Sequence, residues 1–169
     1  AYLVDQGADA GLGATVIAMI GLFNMMGAWA FGYLGGRYRK KYLLCLIYGG
    51  RSIVILTFIS LPVTEASVYV FAAVIGFLWL GTVPLTSGIV AQIFGTRYMA
   101  TLYGIVYLSH QLGSSSGVWL GGVLFDATGS YDAIWLITAG MGVVAVLIHL
   151  PIDDRPYEHP AARPQDAPG

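Results

Sequence analysis

Tyr42-Leu-Leu-Cys-Leu-Ile-Tyr-Gly-Gly-Arg-Ser-Ile-Val-Ile-Leu-Thr-Phe-Ile-Ser-Leu61 decides the fold. This run carries a single charge, Arg51, and wound as a helix at ~1.5 Å per residue it covers the ~30 Å hydrocarbon core of a bilayer. Pro62 closes it, because the residue before a proline is pushed out of the helical region. The basic segment Gly35-Gly-Arg-Tyr-Arg-Lys-Lys41 opens it. Working outward, comparable runs predict spans at about 11–34, 42–61, 67–94, 99–125 and 133–150. Ala1 to Asp5 reads as the last turn of a helix that begins before the chain does. From Pro151 prolines recur every four or five residues, which predicts a disordered tail over 151–169.

Composition agrees with this segmentation. Hydrophobic residues make up 57% and charged ones 10%, with mean hydropathy +0.73, against roughly 25% charged in an ordinary soluble domain. The predicted fold class is all-α, a polytopic membrane helical bundle. Spans alternate sides, so Arg37, Arg39, Lys40, Lys41, Arg97, Arg155 and Arg163 fall on one side and Asp5, Asp9, Glu65, Asp126 and Asp132 on the other. Basic residues concentrate in cytoplasmic loops, which puts the C-terminus in the cytoplasm.

Several function classes are excluded on residue types. No basic block suggests nucleic acid. Cys45 is alone, which leaves no disulfide or redox pair within the chain. The histidines, His110, His149 and His159, lie at different depths or in the tail, so no metal is expected, and no cofactor motif appears. Ser114-Ser-Ser116 has His110 one turn earlier but no carboxylate to orient it, so an intramembrane hydrolase, and an enzyme generally, is not expected.

The spans carry polar groups that lipid would reject without cause. Between 99 and 125, Gly113, Gly117 and Gly121 recur at intervals of four, the spacing of close helix packing in membranes. Beside that line fall Tyr103, Tyr107, His110, Gln111, Ser114 and Ser115, with Leu108, Leu112, Trp119, Leu120 and Val123 opposite. His110 reaches the bilayer midplane, where transporters bind substrate. His110, Gln111, Tyr107 and Ser114 are therefore the candidate substrate-binding residues, against a bland reading of His110 as a donor to a neighbouring carbonyl. Asn24 joins them as a mid-depth polar group, although an intramembrane Asn is more often interhelical glue. Arg51 is too deep to snorkel and no acid matches its depth, so backbone carbonyls or an anionic solute are its candidate partners. Gly76, Gly81, Pro84 and Gly88 predict a bent third span, whose freed carbonyls need new partners.

Gly32-Tyr-Leu-Gly-Gly-Arg-Tyr-Arg-Lys-Lys41 resembles the signature loop of the major facilitator superfamily, with Gly32, Leu34, Gly35, Arg37, Lys40 and Lys41 in place. Gly36 stands where that signature has Asp, and Arg39 where it has Gly. The resemblance implies the C-terminal half of the family fold, the end of helix seven plus helices eight to twelve, and a missing N-terminal six-helix half as partner. It further implies a secondary transporter working by alternating access. Gly81 to Leu85 and Leu124 to Tyr131 look like bacterial members near the monocarboxylate-porter and oxalate/formate-antiporter branch. That implies a small organic anion, possible proton coupling as antiporter or symporter, no cofactor, and residence in the bacterial inner membrane. Family helix nine lies at the bundle's periphery, which favours a structural Arg51. The competing reading is a non-transporting membrane module, or a truncated half that assembles with another chain.

Overall fold

The computed structural model describes residues 10–155, so the N-terminal stub and residues 156–169 of the expected tail lie outside the described residues. Six helices follow in order: α1 Ala10–Gly35, α2 Lys40–Ser60, α3 Glu65–Trp79, α4 Thr82–Phe94, α5 Met99–Thr128 and α6 Asp132–His149. Their ends have local causes. Leu61 is extended at φ −106°, ψ 153°, as the residue before Pro62 must be. Thr64 and Ser67 form a reciprocal capping box with Glu65 in the first turn of α3, which satisfies free amides and complements the helix dipole. Gly129 takes φ +66° and returns its N–H to the Phe125 carbonyl, the left-handed closure that glycine supplies at least cost.

The expected bend in the third span is a break. Pro84 lacks the N–H that would reach the Leu80 carbonyl; the Val83 N–H turns to Leu80 O at 3.1 Å instead. Leu80 and Gly81 therefore interrupt the helical ladder while keeping right-handed helical dihedrals, φ −83°, ψ −5° and φ −58°, ψ −22°, and the apolar segment Glu65–Phe94 divides into α3 and α4.

Contacts fix the relative directions of the helices other than α5. Val16 clusters with Val68 and Ala72, and Phe31 with Leu85 and Ile89, so α1 runs parallel to α3–α4. Phe58 meets Trp135 at one end of α2 and Lys41 meets Leu150 at the other, so α2 and α6 are antiparallel. The connections at 36–39 and 95–98 and the segment after α6 thus share one end, holding Arg37, Arg39, Lys40, Lys41, Arg97 and Arg155. The opposite end holds Glu65, Asp126 and Asp132 and, among the described residues, no Lys or Arg.

Segments Gly11–Gly35, Lys40–Ser60, Glu65–Phe94 and Asp132–His149 are long and apolar enough to cross a membrane. α5 falls short in composition, since His110, Gln111 and the serines dilute its hydropathy. It begins after α4 at the basic end and delivers the chain to α6 at the acidic end, and its 30 residues reach ~45 Å. The outward faces suit lipid, with Ile17 72%, Trp29 76% and Val118 80% exposed.

Within lipid, helices associate by close packing rather than by hiding grease from water. The tight seams lie at Gly27, Gly76 and Gly142. A Cβ on Gly27 would overlap the Phe77 carbonyl, one on Gly76 would lie 2.8 Å from the Ile20 carbonyl oxygen, and one on Gly142 would overlap the Ser52 hydroxyl. Ser52 in turn lies 2.8 Å from the Ala139 carbonyl oxygen, joining α2 to α6. The expected packing stripe on α5, Gly113, Gly117 and Gly121, meets nothing among the described residues within 4 Å of an added Cβ.

Candidate functional site

Polar chemistry inside the spans gathers at two places, the break between α3 and α4 and one strip of α5. At the break the carbonyls at the end of α3 are left over, and side chains of neighbouring helices reach it. Asn24 on α1 accepts the Leu80 N–H through Oδ1 at 3.1 Å. From α2, Arg51 Nη2 donates to Leu78 O at 2.8 Å and Trp79 O at 2.5 Å. Thr82 Oγ1 lies 3.3 Å from Trp79 O. The guanidinium also sits 5.5 Å from the ring centroids of Tyr48 and of Trp79, and aromatic faces attract a cation out of water. Arg51 is thus held by carbonyls and rings, while its Nε has no partner.

Gly81 explains why the break sits where it does. A Cβ there would collide with the Phe31 ring, so the broken turn lies flat against α1. Replacing Arg51 by methionine removes both carbonyl donors at once. Each abandoned polar group costs ~1–3 kcal/mol, so the detergent-purified protein is expected to melt several degrees lower, with Arg51→Lys in between. A melting curve unchanged in Arg51→Met would deny the guanidinium this role.

On α5, Tyr107, His110, Gln111 and Ser114 line one strip and all are exposed. The Tyr107 and His110 rings are 6.4 Å apart between centroids. Residues 104–120 are exposed throughout, and the half-buried positions, 99, 102, 103, 121, 124 and 125, cluster near the ends. There α5 touches α4 and α6. The strip is therefore a continuous polar surface at mid-depth that no helix among the described residues covers. Asn24 is engaged at the break and is not gathered with it.

The signature-like loop takes part in a third network, at the basic end. Arg39 Nε and Nη2 donate to Asp154 Oδ1 at 2.9 and 2.6 Å, and the Lys41 N–H donates to Asp154 Oδ2 at 3.2 Å. Lys41 Nζ reaches the carbonyls of Leu150 and Ile152 at 3.2 and 2.8 Å. Lys40 Nζ donates to Gln92 Oε1 at 2.7 Å, and Gln92 Nε2 to the Asp154 carbonyl at 2.6 Å. Gly32 and Gly35 lie against α4, where a Cβ would meet Pro84 at 3.7 Å and Leu85 at 2.8 Å respectively. Leu34 packs on the cluster around Phe31, and Arg37 lies over the Tyr33 ring at 4.5 Å. Residues 151–155, placed by the sequence reading in the tail, fold back here.

Burial works to raise the Asp154 carboxyl, but the hydrogen bonds from Arg39 and the Lys41 amide and the guanidinium charge outweigh it and hold the group below the ordinary carboxylate range. A carboxyl depressed on folding stabilises above its unfolded pKa, and that contribution is lost as pH falls through the folded one. Asp153, Arg155, Tyr42 and the ammonium groups of Lys40 and Lys41 are the other ionisable groups around the pair. Acid titration is therefore expected to lower the melting temperature of the wild type more than that of Asp154→Asn, with the gap closing below about pH 4. Parallel pH profiles would contradict this.

Among the described residues no group of three or more His, Cys, Asp or Glu side chains is placed to hold a metal ion. The family model of the Major Facilitator Superfamily matches residues 1–168. Monocarboxylate transporter 13 of Rattus norvegicus is 29% identical over 160 residues, covering 88% of this chain and 36% of the relative. The uncharacterized MFS-type transporter YcxA of Bacillus subtilis is 25% identical over 145 residues, covering 82% and 35%. Protein spinster homolog 1 of Homo sapiens is 28% identical over 147 residues, covering 85% and 28%. The chain spans about a third of the length of these relatives. No solved structure matches it significantly.

Proposed function

Since the chain belongs to the Major Facilitator Superfamily and is an integral, multi-pass membrane transporter segment, we propose that it forms the C-terminal half of a secondary transporter for a small organic anion. The missing half is a further six helices, and the two halves rock about a midplane site to expose it alternately to each side. The observation that carries this reading is the uncovered strip Tyr107–His110–Gln111–Ser114. Ionisable and polar side chains are costly against lipid and persist where they face a water-filled cavity or a partner. Their depth is that of transporter substrate sites.

In this reading His110 meets the anion's carboxylate, and Tyr107, Gln111 and Ser114 donate hydrogen bonds to it. Imidazole is the side chain whose ordinary titration falls near neutral pH, which suits it to coupling proton movement to the solute. A monocarboxylate is favoured by the similarity to monocarboxylate transporter 13 of Rattus norvegicus. Asn24 and Arg51 serve the break instead of the solute. The basic end faces the cytoplasm by the positive-inside rule, and the membrane is the bacterial inner membrane.

The test is uptake of labelled lactate, pyruvate and oxalate by the complete protein in proteoliposomes, with and without a pH gradient. Accumulation of at least one above protein-free vesicles is expected. Failure with all three, in protein that is folded by size-exclusion criteria, would remove the organic-anion assignment.

A further inference from the structure

Between α2 and α3, toward the acidic end, lies a groove of about 370 Å³. Ile53, Thr57 and Leu61 line one side of it and Ala66, Val70 and Val74 the other. All six are exposed, so the groove opens on the outer surface of the bundle. Its floor is the ring pair Phe58 and Phe71, stacked with centroids 4.2 Å apart, which separates it from the core.

The groove has no unmet polar group to offer a hydrophilic solute. Thr57 Oγ1 donates to the Ile53 carbonyl of its own helix at 2.8 Å. Ser67, also on the wall, accepts the Thr64 N–H at 2.9 Å and lies 2.9 Å from the Thr64 carbonyl oxygen. Both hydroxyls are spent on backbone, and nothing in the walls calls for a polar occupant. The groove belongs to two segments long and apolar enough to span a bilayer. From Leu61 at its mouth to Ile53 it follows ~12 Å of helix, close to the ~15 Å that one leaflet contributes to the hydrocarbon core. What fits is a hydrocarbon chain entering from the acidic end.

The mouth carries a charge. Glu65, exposed in the first turn of α3, directly precedes Ala66. The acidic end holds, among the described residues, no Lys or Arg to neutralise it. In the same first turn, amides without helical acceptors favour a phosphate. A carboxylate beside such amides complements a zwitterionic head that carries phosphate and ammonium together.

We propose that this groove holds one acyl chain of an ethanolamine-headed phospholipid from the leaflet at the acidic end, with the lipid's ammonium paired to Glu65. Hydrocarbon tails are as apolar as the groove, so selection comes from the head. An ethanolamine ammonium brings N–H donors to the carboxylate, a choline head has none, and a glycerol head leaves the lipid's negative charge unbalanced. The site is independent of the proposed transport reaction, and its test requires no transport.

The complete protein is purified in detergent and mixed with phosphatidylethanolamine, phosphatidylcholine or phosphatidylglycerol of identical acyl chains, and retained lipid is counted by native mass spectrometry. Retention of phosphatidylethanolamine is expected to exceed that of the other two by about two- to fivefold, the scale of one exposed ion pair. Glu65→Gln is expected to erase that preference and Glu65→Lys to invert it toward phosphatidylglycerol. Val70→Trp, which fills the groove from an exposed position, is expected to lower retention of every lipid; should it fail to purify, Ala66→Leu at the mouth is read in the same way. Equal retention of the three lipids by the parent, or a preference that survives Glu65→Gln, would overturn the headgroup pairing. Parental retention in the groove-filling variant would place the lipid elsewhere and overturn the site.

Discussion

Replacing Gly27 by leucine abolishes assembly of the bundle, whereas the same change at Gly21 on the same helix is tolerated. Gly27 is buried and its missing side chain is where the Phe77 carbonyl sits; Gly21 has nothing within 4 Å. Overpacking a core that can relax costs ~1–3 kcal/mol, and here the obstacle is backbone, which has no other rotamer to take. Parting α1 from α3 also opens the Gly76 seam, where Ile20 and Phe23 close in, and it withdraws Asn24 from Leu80. A loss of that kind is large beside a total stability of ~5–15 kcal/mol. Monodisperse yield in detergent is expected to fall at least about tenfold for Gly27→Leu and by less than about twofold for Gly21→Leu. Equal yields would mean that the α1–α3 seam is not as close as described.

Transport has its largest expected sensitivity at His110. If the imidazole meets a carboxylate in a cavity shielded from bulk water, the charge-assisted hydrogen bond is worth ~1.5–3 kcal/mol. His110→Ala then reduces kcat/KM for uptake by roughly ten- to a hundredfold and flattens its dependence on pH. Leu108→Ala, on the apolar face of the same helix, changes uptake little. Because α5 holds no buried residue in this chain, neither change disturbs the packing of the other five helices, and equal membrane yields are expected. Full uptake with an unaltered pH profile in His110→Ala would take the residue out of the mechanism.

The sequence disclosed the cylinders because bilayer thickness imposes a length, and the apolar runs meet it locally. It disclosed a bend in the third span for a similar reason, since Pro84 deletes a hydrogen bond wherever it is placed. Arg51 was legible as a deep charge without an acid, and its carbonyl partners follow from the broken turn. What local pattern does not carry is contact across distance. The seams at Gly27 and Gly142 look, in the string, no different from Gly21 or Gly140, which meet nothing; which glycine faces a neighbour depends on helix rotation.

Asp154 was hidden more thoroughly. It stands among the prolines that suggest disorder, and its partners are 115 positions earlier for Arg39 and 62 for the Gln92 amide. The one available hint was Arg39 itself, a cation in a place where the signature has glycine. The Gly113–Gly117–Gly121 stripe and the polar strip beside it present the reverse case. Both were plain in the sequence, and both face away from the other described helices.

The whole account turns on helices that cross a bilayer with their cationic ends together. Single cysteines introduced by Tyr38→Cys, Thr96→Cys and Arg155→Cys, and by Glu65→Cys and Ser130→Cys, in sealed vesicles of known orientation, test it with a membrane-impermeant maleimide. The first three are expected to label from one side and the last two from the other. Labelling of the positions at 38 and 65 from the same side would contradict it.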